Sequence, residues 1–130
     1  MAARVLIDTN IFLEVLLEQE RWKMCEDLLR EYRGVSSLTD FALHSIGVTL
    51  LGLQKAALFQ RFLNDVLARN ELLTLEPDEF PQLLAIHEHH RLGFDDAYQL
   101  AAAEHFGLEF FTIDRHFQGI QSPIKITVLE

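Results

Sequence analysis

The chain has 130 residues, eleven lysines and arginines against twenty aspartates and glutamates, and a formal charge of −9. That length suits a single domain over 1–130 with a sizeable core, and the acidic balance excludes a general electrostatic grip on nucleic acid. One cysteine excludes an intrachain disulfide framework and a Cys-based zinc site. The amino-terminal residues lack the shape of a signal peptide and no apolar run reaches membrane-spanning length, so a cytoplasmic protein with no membrane partner is expected.

Val5-Leu6-Ile7 is a short apolar run bounded by a polar residue, and predicts a strand over 5–7 buried on both faces. A helix over 10–17 follows, with Asn10 as its N-cap. A second helix over 22–32 places Trp22, Cys25, Leu28, Leu29 and Tyr32 on one stripe, and Gly34 ends it. Cys25 on that stripe reads as a buried structural thiol. After a strand over 34–37, Ser37 or Thr39 caps a helix carrying Phe41, Leu43, Ile46, Leu50 and Leu51. A further amphipathic helix spans 56–67, with Phe59, Phe62, Leu63 and Val66 among its inward residues. The pair is longer than one crossover requires and predicts a helical arm beside the sheet.

A third strand spans 71–75, and Pro77-Asp78-Glu79 opens a helix running to about residue 90. Asp95 or Asp96 starts the next helix, whose Ala97, Ala101 and Ala102 permit close packing on a sheet. Strands over 109–113 and 125–129 complete the chain. The alternation places the chain in the α/β class: three αβα layers around a mostly parallel sheet of about five strands, with right-handed crossovers.

Two of these strands end alike, in Ile7-Asp8-Thr9-Asn10 and in Ile113-Asp114-Arg115. Ligands of open parallel sheets bind beyond the carboxyl ends of the strands, so Asp8 and Asp114 belong at one rim. Asp95 and Asp96 open a helix at the same rim, and Asp40 lies in the first turn of the helix after the second strand. Carboxylates so close either hold protons or share a cation. Oxygen donors with no nearby cysteine suit Mg²⁺ or Mn²⁺, which can polarise a phosphodiester and activate a water. Capping is the ordinary alternative for Asp95, and a favourable first-turn charge for Asp40. Capping does not require the same strand-Asp syntax at both ends of the chain, which sets Asp8 and Asp114 apart.

Leu6-Ile7-Asp8-Thr9-Asn10-Ile11-Phe12, the run from Asp95-Asp96-Ala97-Tyr98 to Ala103, and Phe111-Thr112-Ile113-Asp114-Arg115-His116-Phe117 together resemble the PIN domain family. This is the metal-dependent ribonuclease fold that includes the toxins of VapBC-type modules. The resemblance implies a Mg²⁺- or Mn²⁺-dependent endoribonuclease with Asp8, Asp40, Asp96 and Asp114 as metal ligands and catalytic acids. Thr9, Asn10, Asp95, Thr112 and Arg115 would support the carboxylates or bind the scissile phosphate. RNA would be the substrate, and an antitoxin protein a partner, docking a basic segment on the acidic rim. A homodimer is expected from the apolar surplus.

One departure stands out. The family usually carries a Glu in a Thr-x-x-Glu-like context after the second strand, where this chain reads Thr39-Asp40-Phe41-Ala42-Leu43-His44. Asp40 is the substitute at hand, with His44 one turn on. The missing Glu and the −9 charge support the alternative, a catalytically weak or inactive PIN-scaffold protein acting through protein contacts. His87-Glu88-His89-His90 is not a zincin helix, because Arg91 stands where His-Glu-x-x-His needs its second histidine. No Gly-rich phosphate loop occurs.

Overall fold

The computed structural model describes residues 3–130. Its centre is β1 (Val5–Ile7), all three residues of which are buried. Side chains alternate across a strand, so Leu6 joins the core on one face while Val5 and Ile7 join the core on the other. The strand is flanked by β2 (Ser36–Thr39) and β4 (Glu109–Thr112), with β3 (Glu71–Leu73) and β5 (Ile126–Val128) outermost. Among the described residues the sheet therefore runs β3-β2-β1-β4-β5, and every pairing is parallel.

Four helices supply the core on the Val5 and Ile7 side: α1 (Thr9–Leu16), α2 (Trp22–Glu31), α3 (Asp40–Gly52) and α4 (Ala56–Asp65). Two supply the other side, α5 (Phe80–His90) and α6 (Phe94–Phe106), which is buried from Ala97 to Ala103. The alanines there let α6 lie close to Leu6 and Phe110. The helical arm expected after the second strand is the α3–α4 hairpin. Its inner residues Ala42, Ile46, Leu50 and Phe62 join the core, while Val48, Leu51 and Leu53 near its bend are exposed. Cys25 is buried, and burial pushes its thiol up to about 11, which suits packing and not nucleophilic attack.

The sheet differs from the expected elements in detail. The first helix begins at Thr9 and not at Asn10, because Asp8 is its N-cap and accepts a hydrogen bond from the Thr9 amide. Asn10 is drawn to the β4 terminus instead, through Thr112 and the Ile113 amide. Likewise α6 is capped by Gly93, and neither Asp95 nor Asp96 serves as the cap. β2 starts at Ser36 because Gly34 adopts a φ of 88°, outside the range of an extended strand. Past β3, Pro77–Glu79 is a 3₁₀ turn leading into α5.

The chain moves outward from β1 to β2 and β3, then returns to β4 on the opposite side of β1. The gap between β1 and β4 is thus the switch point of the topology, where such sheets open a crevice. Phe62 ties the hairpin to this centre: its ring meets Phe12 edge-on at 5.6 Å and stacks on Phe59 at 6.3 Å. Phe62→Ala should cost about 3–5 kcal/mol in chemical denaturation, whereas Leu51→Ala, at an exposed position, should stay within about 0.5 kcal/mol of the parent.

Candidate active site

Asp8 leaves the end of β1 at the switch point with 5% exposure. A carboxylate so buried requires donors, and they come from distant parts of the chain. Its Oδ1 accepts from the Thr9 amide at 2.8 Å and from Gln99 Nε2 at 3.0 Å, and its Oδ2 accepts from Thr112 Oγ1 at 2.7 Å. Burial nevertheless raises its pKa above the ordinary carboxylate value, against the pull of those bonds, and the neighbouring charge of Asp114 adds to the rise.

Thr112, the last residue of β4, is buried, and its hydroxyl serves three groups. Its hydroxyl donates to Asp8 and accepts from Asn10 Nδ2 at 3.3 Å and from the Asp114 amide at 3.0 Å, while its backbone stays in the β4–β5 ladder. Gln99 joins the other side: its Oε1 accepts from Thr39 Oγ1, the residue that also caps α3. The ends of β1, β2 and β4 are thus linked to α6 through side-chain amides and hydroxyls.

Asp96 and Asp114 complete an acidic rim. Asp114 caps the 3₁₀ turn Arg115–Phe117, and its Oδ1 accepts from the His116 amide and lies 3.1 Å from His116 Nδ1. Asp96 is pushed up to about 7, first by burial and then by the charges of Asp95, Asp8 and Asp114, with His116 pulling the other way. One carboxylate oxygen from each of Asp96 and Asp114 and a ring nitrogen of His116 lie within 4.8 Å of one another. Asp8, Asp95, Asp96 and Asp114 line one open cleft of ≈ 240 Å³ with Thr9, Asn10 and Gln99, and Phe41 and Ser45 close its α3 side. Mutually repelling oxygen donors around a cleft of that size fit a small divalent cation.

Not every sequence-derived candidate lines the cleft. Asp40 is not among the residues lining the cleft; its Oδ1 accepts from the Tyr98 hydroxyl at 2.7 Å and from the Phe41 amide at 2.8 Å. Arg115 and His44 are exposed and do not line it either. Asp95 does, while its Oδ1 accepts from the Asp96 amide. Thr112 lies behind Asp8 and not at the cleft surface. Sequence reasoning missed Gln99. The available signal was its place three residues after Asp96 within an otherwise apolar helical run, where a polar residue needs a buried partner.

The family model of the PIN domain matches residues 5–122. The chain belongs to the PIN domain family. A search of curated proteins found no match, but solved structures resemble it over nearly their whole lengths. A toxin-antitoxin complex from Klebsiella pneumoniae is 23% identical with a TM-score of 0.73, covering 94% of this chain and 99% of that one. VapBC2 from Rickettsia felis, bound to a DNA fragment from their promoter, is 14% identical with a TM-score of 0.75 and full coverage of both chains. FitAcB from Neisseria gonorrhoeae is 23% identical with a TM-score of 0.69, covering 97% and 96%. At these identities the likeness is one of fold: this chain has a PIN architecture, and the cleft lies at its switch point.

Two outcomes follow from the electrostatics. A carboxyl whose folded pKa exceeds its unfolded value of 3.8 lends stability below that value and loses it as pH rises through the folded one. In EDTA, the melting temperature of the parent should therefore fall relative to Asp96→Asn as pH is raised from about 4 to about 7. Thr112→Val should cost about 1–3 kcal/mol in chemical denaturation at neutral pH, because it strips a donor from a buried carboxyl.

Proposed function

We propose that this PIN domain is a metal-dependent endoribonuclease. The observation that carries the reading is the meeting of Asp8, Asp96 and Asp114 in one cleft at the switch point of the sheet. Members of the family are typically nucleases, and the oxygen donors suit Mg²⁺ or Mn²⁺. In this reading Asp8, Asp96 and Asp114 hold the ion, which when bound polarises the phosphodiester and activates a water for in-line attack.

The chain's own residues do the rest. Thr112 and Gln99 fix the Asp8 carboxylate, so it need not reorganise on binding. Burial and the neighbouring acid charges push Asp96 up to about 7, a cost that a cation in the cleft would relieve. Asn10 and Thr9 offer amide and hydroxyl groups to the scissile phosphate. Asp40 acts at one remove, holding the Tyr98 hydroxyl and so the first turns of α6 that carry Asp96.

The toxin-antitoxin structures that share the fold support a toxin role, with an antitoxin as the partner whose basic segment would cover the acidic cleft. Val48, Leu51 and Leu53 on the α3–α4 hairpin support a homodimer face. Among the described residues no helix is long and apolar enough to cross a membrane, and a cytoplasmic setting fits this role. The position of Asp40 outside the cleft favours one second reading, a PIN scaffold that has lost its chemistry and acts by protein contacts.

Purified protein should cleave single-stranded RNA with Mn²⁺, stop with EDTA, and lose about a hundredfold or more of its rate as Asp8→Asn or Asp96→Asn. Asp40→Asn should lose less than either. Cleavage that survives EDTA sinks the metal mechanism. Calorimetry that detects no Mn²⁺ binding at millimolar concentration decides for the scaffold reading.

A further inference from the structure

The acidic cleft has a basic neighbour. His90, Arg91, Leu92, Gly93, Asp96 and His116 line a second cavity of ≈ 310 Å³, and Asp96 is a wall of both. In a chain of charge −9 this cavity gathers a guanidinium and two imidazoles against one carboxylate. Arg91 forms no ion pair within 4.0 Å among the described residues, so its forked donors are not committed to a protein acid.

Arg91 is one of three non-glycine residues with a positive φ, with Glu18 and Gln54, and the one of the three that borders the acidic cleft's neighbour. Arg91 ends α5 in the left-handed conformation, with φ 56° and ψ 38°, a position that glycine fills without steric cost. The turn around it is fixed from both sides: His87 Nδ1 lies 2.6 Å from the Leu92 carbonyl oxygen, and the Leu92 side chain is buried in the core. A bulky cationic residue kept where glycine would be easier, at the edge of a cleft, points to a use for its side chain.

We infer that this second cavity is a phosphate subsite for single-stranded RNA, seating the phosphodiester next to the one held at the acidic cleft. Arg91 supplies the charge, and His90 and the His116 ring nitrogen that does not face Asp114 supply N–H donors. The subsite solves the problem that the acidic cleft creates: the carboxylates that attract a cation repel an RNA strand, and Arg91 in the cavity on the other side of Asp96 restores the attraction. The inference rests on the ribonuclease reading and names how that substrate is gripped.

Fluorescence anisotropy of a short labelled single-stranded RNA in EDTA, where no cleavage is expected, tests it. Arg91→Gly should weaken binding about tenfold and lower the slope of log K against log salt by about 0.7, the share of one phosphate contact on a single strand. The same variant should melt at or above the parent temperature, since glycine relaxes the turn; a merely structural Arg91 would give lower stability and unchanged RNA affinity. Arg91→Asn, which tolerates the left-handed backbone, repeats the test without glycine's flexibility. Parent-like affinity and salt slope in both variants overturn the subsite and leave the ribonuclease reading standing. RNA bound through Arg91 but left intact with Mn²⁺ supports the subsite and overturns the nuclease. No RNA binding by the parent chain in EDTA overturns the subsite, while the ribonuclease reading stands or falls on cleavage with Mn²⁺.

Discussion

Nearly all the local order at the carboxyl rim serves one demand, that the buried carboxylate of Asp8 be solvated by protein. Apolar layers cover both faces of β1, so the carboxyl at its end meets little water. An unmet acceptor there would be costly. The demand is met by a backbone amide, an amide side chain from α6 and a hydroxyl from β4. Each donor is then pinned by a second contact: Gln99 by Thr39, and Thr112 by Asn10 and the Asp114 amide. The crevice that parallel topology opens between β1 and β4 is in this way given a fixed lining, and the acids on it inherit fixed positions.

The layers were legible in the sequence because their signals are local. Val5-Leu6-Ile7 and Phe110-Phe111 are apolar on both faces, and a strand with no polar face has to lie between two layers of helices. The acids at the strand ends were legible for the same reason, since Asp8 and Asp114 mark where the apolar runs stop. The helix starts were less so. Asp8 is both a cap and a cleft acid, and Asn10, which has the composition of a cap, is occupied across the sheet. Nothing within ten residues of Asn10 announces Thr112. Gln99 and the engagement of Asp40 by Tyr98 were hidden likewise, because each depends on which side of α6 faces β1 and α3, a matter settled by packing.

The charge distribution follows from the same constraint. Helix starts and strand ends are places where acids are individually favourable, through capping and the helix dipole. A doubly wound sheet collects those places at one edge. Four such acids therefore meet in one cleft, where their sum is unfavourable; Asp8 is raised, and burial first and the neighbouring charges after it push Asp96 up to about 7. The cost is concentrated where a cation would remove it.

The bond between Thr112 and Asp8 joins residues 104 positions apart, and the Gln99 contact spans 91. No amino-terminal fragment of the chain holds the cleft. During synthesis Asp8 emerges 104 residues before Thr112 and stays unoriented until the fourth strand arrives. Whatever chemistry the cleft performs waits until β1, α6 and β4 have all been made and joined.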